Sequence, residues 1–385
     1  SVFIAGLCRY IIADNFVDWM VIALIIIVVL GIFIYRKSLL KQPIIMLSLI
    51  VLFFGQQIIM THDSRQRTID PYSTTINTLS DPSYYNDTTA KKINSIKEHH
   101  DDPFHRIDYM SAYALNSPFL YHYNGISLYS SIFDGGILKY YDKLMQINMP
   151  VDKNSTYRFL GNRANLTALW NVQDRLRHPE DQNMTYGFEK KDTILNGKHT
   201  LIHSKNMIDY PSAHVTNHIY NSDDLKSPLD REQAMLKGII LNDNSEKANT
   251  SFKPNKNLLT ESKMSTKDAT WKNQNHLKVH KDNGGVTLKL PESVANQYKD
   301  MYVEMDVELL SPDKAHSVSV NEYSQNRNEL SYKYRRLVTP VTMRVKASDK
   351  LNIHLSKGNY RLSVKGIYGE DYSTCLLYTS DAADE

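Results

Sequence analysis

The sequence predicts a multi-pass membrane protein fragment: a transmembrane helical hairpin, then an extracytoplasmic α/β domain, then a C-terminal antiparallel β-sandwich of the jelly-roll-like kind. Three observations predict it. Residues 16–35 and 43–60 are nearly unbroken apolar runs, each about as long as a helix needs to cross a roughly 30 Å hydrocarbon layer. Short strand-like and helix-like patterns alternate through the middle of the chain. Strict two-residue alternation takes over toward its end.

Between the two apolar runs lie Arg36, Lys37 and Lys41 with no acid. Such a loop belongs on the cytoplasmic side, so everything after Met60 is expected outside. Residues 1–15 read as the stump of another hydrophobic segment, without a start Met or a basic lead, and the chain is expected to be cut from something longer. The tail, 375–385, breaks the preceding strand pattern and reads as a non-native sequence scar. The expected organisation is therefore 1–60 membrane helices from a larger bundle, 61–241 α/β domain, 242–270 linker, 271–374 β-sandwich and 375–385 scar.

Of the two cysteines, Cys8 lies in the first apolar segment and Cys375 in the tail. No disulfide framework is available to the region between them, which must fold by burial and hydrogen bonding. A net charge of +3 is too small to imply a nucleic-acid partner. Membrane lipid is the partner the apolar runs imply. Arg158, Arg163, Arg175 and Arg177 offer local positive charge to an anionic polymer, although ordinary surface is the commoner role for such residues.

After the membrane segment, Thr88 and Thr89 are placed to cap a helix running to His99, with Ile93 and Ile96 on one face. Asp101, Asp102 and Pro103 stop it. The residues 104–110, FHRIDYM, form a strand pattern, and Asn124-Gly125 marks a turn between aromatic segments. Residues 134–145 carry a helical pattern, as do 228–241, where Ser227 or Asp230 is the cap. From 242 onward periodicity and apolar residues both fade, which marks the linker.

Residues 102–108, DPFHRID, are the densest cluster of chemistry-bearing side chains. Asp102 and Arg106 are candidates to clamp a phosphate or a hydroxyl-bearing ligand, and Asp108 to accept from a sugar hydroxyl. An Asp-Pro turn leading into an edge strand, with Arg106 paired to an acid, explains the same residues structurally. His99, His100 and Asp101 match no usual metal-ligand spacing, and no metal is assigned.

The order DPFHRIDYM, NSPFLYHYNGISLYSSIF and FLGNRANLTALWNVQDRLR behind an apolar hairpin resembles the YfhO-type membrane glycosyltransferases of Gram-positive bacteria. Its most specific parts are the Arg106 motif, the Tyr123-Asn124-Gly125 turn and the Ser130-Ser131 pair. The resemblance implies a multi-spanning C-type glycosyltransferase that takes a sugar from undecaprenyl phosphate and places it on lipoteichoic acid or a related surface polymer. It also adds Asn124 to the candidates for substrate binding. The general base of such enzymes is expected in an outer loop near the amino terminus, so no catalytic residue and no cofactor is assigned within this chain. The wording at 171–175, NVQDR, departs from the broader family, and sugar specificity is not carried over.

Beyond the linker, VTLKL, YVEMDVELL, HSVSVNEY, LSYKYRR, VTMRVKA, LNIHL and YRLSVKGIY all read as strands. In the second of these, Val303, Met305, Val307 and Leu309 share one face, and Tyr302, Glu304, Asp306 and Glu308 the other. Tyr323, Tyr332 and Tyr334 are candidates for stacking on sugar rings, with packing on a strand face as the commoner role. Besides the transferase, two classes fit the residues: a non-catalytic membrane-anchored surface protein that binds or organises wall polymers, and a transporter or flippase subunit.

Overall fold

The computed structural model describes residues 43–66, 85–110, 115–150, 155–181, 184–195, 200–241 and 247–373, together with Ile27, Leu30 and Gly31. The chain divides into two compact units, Ser1–Asp81 and Pro82–Glu385.

In the first unit the structure corrects the expected membrane hairpin. Among the described residues a single long helix is present, Pro43–Ser64, and no helix is long and apolar enough to cross a membrane. Its 22 residues have the necessary length, but Gly55-Gln56-Gln57 and Thr61–Ser64 make its C-terminal part polar. Gln56 is buried and donates to Met60 Sδ at 3.5 Å. The rest of the expected first span, the basic loop at Arg36, Lys37 and Lys41, and the 375–385 tail lie outside the described residues.

The described fold is mostly β-sheet with few helices. In the second unit the strands are β1 (Arg106–Tyr109), β2 (Leu128–Tyr129), β3 (Thr156–Tyr157), β4 (Val172–Arg177), β5 (Phe188–Ile194), β6 (Leu201–Asn206), β7 (Ile219–Asn221) and β8 (Ile239–Leu241), followed by ten more. A four-stranded sheet has the order β1-β4-β6-β5, with β1 parallel to β4 and the other neighbours antiparallel. The Asp87–Glu98 helix lies on it. Its cap is Asn86, whose side chain accepts from Thr89 N at 2.9 Å, so the helix starts before the expected threonines. Ile93 and Ile96 pack on Ile107, Leu176, Ile194 and Leu201 of the sheet.

The remaining strands are β9 (Lys263–Lys267), β10 (Ala269–Asn273), β11 (His276–Val279), β12 (Gly284–Lys289), β13 (Asp300–Ser311), β14 (His316–Val320), β15 (Tyr323–Arg327), β16 (Pro340–Lys346), β17 (Lys350–Leu355) and β18 (Gly358–Glu370). They form two five-stranded sheets, β10-β11-β18-β13-β16 and β15-β14-β17-β12-β9, around one shared apolar core. Residues 263–267, expected within the linker, are an edge strand of the second sheet. Residues 330–336, expected as a strand, form successive turns instead, with Tyr332 N donating to Glu329 O and Arg335 N to Tyr332 O. The arginines of that stretch look elsewhere: Arg336 is buried on Asp142 and over the Tyr157 ring.

On β13, Val303, Met305, Val307 and Leu309 enter the core while Glu304, Asp306 and Glu308 stay half-exposed. Tyr302 is the exception on the polar face. It is fully buried against Leu229 and Tyr368, because the Pro228–Lys237 helix covers that end of the strand. This helix begins at Pro228 behind a capping box of Ser227 and Asp230.

Arg163 lies beneath the same helix with its side chain 0% exposed. It donates to Glu232 Oε1 at 3.1 Å, Met145 O at 2.6 Å, Gln146 O at 3.2 Å and Thr342 O at 2.6 Å, and stacks on Tyr302. Tyr302 in turn donates to Glu232 Oε2 at 2.9 Å. Burial drives the Glu232 carboxyl up to about 7 against the pull of Arg163 and Tyr302.

Removing one partner of a buried pair strands the other charge. Arg163→Met is therefore expected to lower unfolding stability by about 3–5 kcal/mol in urea denaturation, whereas the paired change Arg163→Met with Glu232→Gln recovers a large part of the loss. A double variant no more stable than Arg163→Met alone would show that the stranded carboxylate is not the cause.

Candidate functional site

Near the N-terminal ends of β1 and β4, where β6 finishes, a polar groove of about 520 Å³ opens between His100, Asp102, Asn171, Lys191, Lys205 and Ser212. Each wall has a local cause. The Asp87–Glu98 helix ends just before His100, and the Asp102-Pro103 turn then leads into β1. Asn171 follows the Ala164–Leu169 helix at φ +52°, a left-handed conformation that asparagine tolerates, and this reversal starts β4.

The Asp102 carboxylate is held from three sides. Ser212 Oγ and Asn171 Nδ2 both donate to Oδ2, the latter at 2.7 Å, and Phe104 N donates to Oδ1 at 2.8 Å. The bond from Ser212, with those from Phe104 and Asn171, outweighs partial burial and keeps this carboxyl below its ordinary range. Asp102 is thus an oriented anion at neutral pH. Gln173 Nε2 fixes Asn171 by donating to its Oδ1 at 2.8 Å.

Behind the groove runs a chain of titratable groups. His100 and His203 meet opposite oxygens of Asp174 through Nε2, at 2.7 and 2.6 Å. His203 Nδ1 faces Asp192 Oδ2 at 3.4 Å, and Lys92 Nζ pairs with that oxygen at 2.7 Å. His100 stacks on His105 with ring centroids 4.2 Å apart. Burial alone raises the Asp174 carboxyl, but the bonds and charges of His203 and His100 together outweigh it and leave the group below its ordinary value of 3.8.

The sequence candidates separate. Asp102 lines the groove. Arg106 donates Nη1 to Trp170 O at 2.7 Å and lies over the Trp170 ring. Asp108 is buried, accepts from Arg177 Nη2 at 2.5 Å and is ion-paired with Arg175, whose Nε lies 3.3 Å away. Among the described residues no hydrogen bond or ion pair joins Asp102, Arg106 and Asp108, so the structure does not bring the clamp pair Asp102 and Arg106, or the acceptor Asp108, together. Asn124 braces the Asp-Pro turn through Pro103 O at 2.8 Å, and its own carbonyl accepts from Ile107 N. Its neighbour Gly125 has no room for a Cβ, which would meet the Pro118 ring at 2.5 Å.

Tyr323 is buried, with its hydroxyl accepting from Arg344 at 2.5 Å, while Tyr332 and the exposed Tyr334 meet edge to face, 5.8 Å between ring centres. Arg163, Arg175 and Arg177, expected as surface charge, are buried and hold the protein's own acids and carbonyls. Sequence reasoning passed over Asp174, His203, Asn171, Ser212 and the two lysines. Parity was the available signal for two of them: Asp174 shares a strand face with Leu176, and His203 with Leu201, so each is a polar group at a core position.

The chain matches the family described as bacterial membrane protein YfhO over residues 2–378, and it belongs to that family of bacterial membrane proteins. Over 299 residues it is 33% identical to the uncharacterized protein YfhO of Bacillus subtilis (strain 168). That match covers 77% of this chain and 34% of the relative, so the chain spans about a third of the relative's length. No solved structure matches.

Asp174→Asn leaves one of the two histidines facing an amide N–H in place of an acceptor. The cost at neutral pH is expected to be about 1–3 kcal/mol. Because the folded carboxyl sits below 3.8, its stabilising contribution is present above that pH and is lost as the pH falls below it. Urea midpoints of the two proteins should therefore differ most near neutrality and converge in acid; a constant gap would reject the linkage.

Proposed function

We propose that the groove at His100, Asp102 and Lys205 presents the acceptor polymer to a membrane glycosyltransferase of which this chain is the C-terminal part. The longer protein is a multi-pass protein of the cell membrane whose C-terminal region faces the extracytoplasmic side. It takes a sugar from an undecaprenyl-phosphate carrier and places it on lipoteichoic acid or a related anionic surface polymer. The general base and the donor pocket belong to the longer protein, and no residue of this chain is given either role.

The observation that carries this reading is the pairing, in one open groove, of a fixed carboxylate with two lysines, beside a second acid, Asp209. A polyol-phosphate chain alternates hydroxyls with phosphates. Asp102 suits the former as an acceptor that is already ionised and oriented, and Lys205 suits the latter as a mobile point charge, with Lys191 able to exchange its exposed pair with Glu189 at 3.4 Å for a phosphate. The groove is long enough in volume for a repeat of such a polymer and too open to shield a reacting centre from water. That favours presentation of the acceptor over chemistry at this spot.

In membranes carrying the full-length protein, with undecaprenyl-phosphate sugar and acceptor polymer supplied, Lys191→Glu with Lys205→Glu is expected to raise the acceptor KM about tenfold or more while kcat holds. Unchanged acceptor KM would reject the groove as its binding place. Polymer binding without any sugar transfer by the unaltered protein would favour a non-catalytic polymer-binding protein instead.

A further inference from the structure

The end of the four-stranded sheet opposite the groove exposes large apolar side chains. Strands β1 and β4 run toward that end, and β5 turns back into β6 there, since Ile194 pairs with Leu201 and Arg177 with Ile202. Ser117 Oγ donates to Tyr109 O at 3.4 Å, which seats the Ser117–Tyr121 helix at the end of β1. Asn116 ties this helix to β2: its Nδ2 donates to Tyr129 O at 3.1 Å, and its Oδ1 accepts from Tyr129 N at 2.6 Å. Phe119 is 70% exposed here, Ile132 88% and Leu195 78%, with Tyr129 exposed beside them. Ile132 is held outward. Ser130 Oγ donates to Ile132 O at 2.7 Å and accepts from Ile132 N at 3.1 Å, closing a turn around the isoleucine. Apolar side chains fixed in water by local bonds mark a surface that another phase or molecule covers.

We propose that this end of the second unit rests on a lipid bilayer, with Phe119, Ile132 and Leu195 among the lipid chains and Tyr129 at the level of the headgroups. The chain belongs to a family of bacterial membrane proteins, so a bilayer is at hand. The chain also arrives at this end. Tyr85, the first described residue of the second unit, stacks on Tyr121 with ring centroids 5.1 Å apart, and Asn86 N donates to the Tyr121 hydroxyl at 3.0 Å. Upstream, the Pro43–Ser64 helix exposes Leu47, Val51, Phe54 and Ile58, a surface that lipid covers at no cost. Residues 128–133 carry no charge, and the exposed acids nearest in sequence, Asp87 and Asp134, stand at helix starts, where Asp134 Oδ1 accepts from Gly136 N at 2.7 Å. Three apolar tips on three separate connections fit a plane, whereas a specific protein partner calls for a continuous, shape-matched patch. Tyrosine suits the boundary because one end of its ring is apolar and the other wet. The groove opens at the other end of the sheet, about 20 Å away along a six-residue strand, so this surface does not rest on the reading given to the groove.

The test uses the full-length protein in vesicles of phosphatidylglycerol and phosphatidylethanolamine, with Phe119→Cys, Ile132→Cys, Leu195→Cys or Val215→Cys in a background free of other cysteines. Each cysteine carries an environment-sensitive fluorophore. Val215 is the control, fully exposed and three residues past Ser212 of the groove wall. Labels at 119, 132 and 195 are expected to emit to the blue of the label at 215 and to be quenched by spin-labelled lipid but not by aqueous iodide, with the reverse at 215. Ile132→Glu together with Leu195→Glu should abolish lipid quenching at 119 without moving the thermal midpoint, because both positions are exposed and a charge is costly in lipid. Lys205→Glu should leave the quenching intact, which keeps this result distinct from the fate of the groove. Labels at 119, 132 and 195 open to iodide, lipid quenching at 119 that survives both glutamates, or blue-shifted labels that spin-labelled lipid does not reach, the mark of a protein partner, would each overturn the assignment.

Discussion

Arg163 is the point at which the second unit is tied together. A fully buried guanidinium must find partners for its charge and its donors, since leaving them unmet costs several kcal/mol. Here the partners come from four separate stretches: Glu232 from the Pro228–Lys237 helix, Met145 O and Gln146 O from the segment before the loop at 148–150, Thr342 O from β16, and the Tyr302 ring from β13. Any arrangement that separates the four-stranded sheet from the two larger sheets would strand this charge. Nearby bonds repeat the pattern, with Asn165 donating to Glu370 at 2.8 Å and Gln146 to Glu304 at 2.9 Å.

The consequence reaches the groove through the chain itself. Arg163 caps the Ala164–Leu169 helix by position, and only Trp170 separates the end of that helix from Asn171. Asn171 orients Asp102, and three residues further on Asp174 gathers the two histidines. Position at the groove is thus inherited from a buried ion pair that has no exposure of its own. Tyr302 shows the same dependence from the other side, since its burial on the polar face of β13 makes sense only when the Pro228–Lys237 helix is in place.

Local pattern made several of these features readable in advance. The alternation of Val303, Met305, Val307 and Leu309 gives the core face of β13, and Ser227-Pro228 with Asp230 gives a capped helix start. Asp102 was readable as chemistry-capable from its setting in DPFHRID, and it does line the groove. Arg106 and Asp108 were not separable from it, because their partners, Trp170, Arg175 and Arg177, lie over sixty residues away. The arginines misled for a related reason. Charge alone suggests surface, and only the fold reveals that Arg163 meets Glu232 of the Pro228–Lys237 helix and that Arg175 and Arg177 meet Asp108 of β1, both distant in sequence. The apolar run at 43–60 formed a helix, but a helix whose polar C-terminal part falls short of a membrane span.

The Arg163–Glu232 ion pair makes the four-stranded sheet and the two larger sheets one cooperative body. Native-state hydrogen exchange across a urea series tests it directly, with amides of Leu176 and His203 read against those of Val303 and Met343. In the unaltered protein all four should merge into a single opening with the global free energy, and in Arg163→Met the first pair should exchange earlier than the second. Two separate openings in the unaltered protein, or a single merged opening that survives Arg163→Met, would contradict the claim.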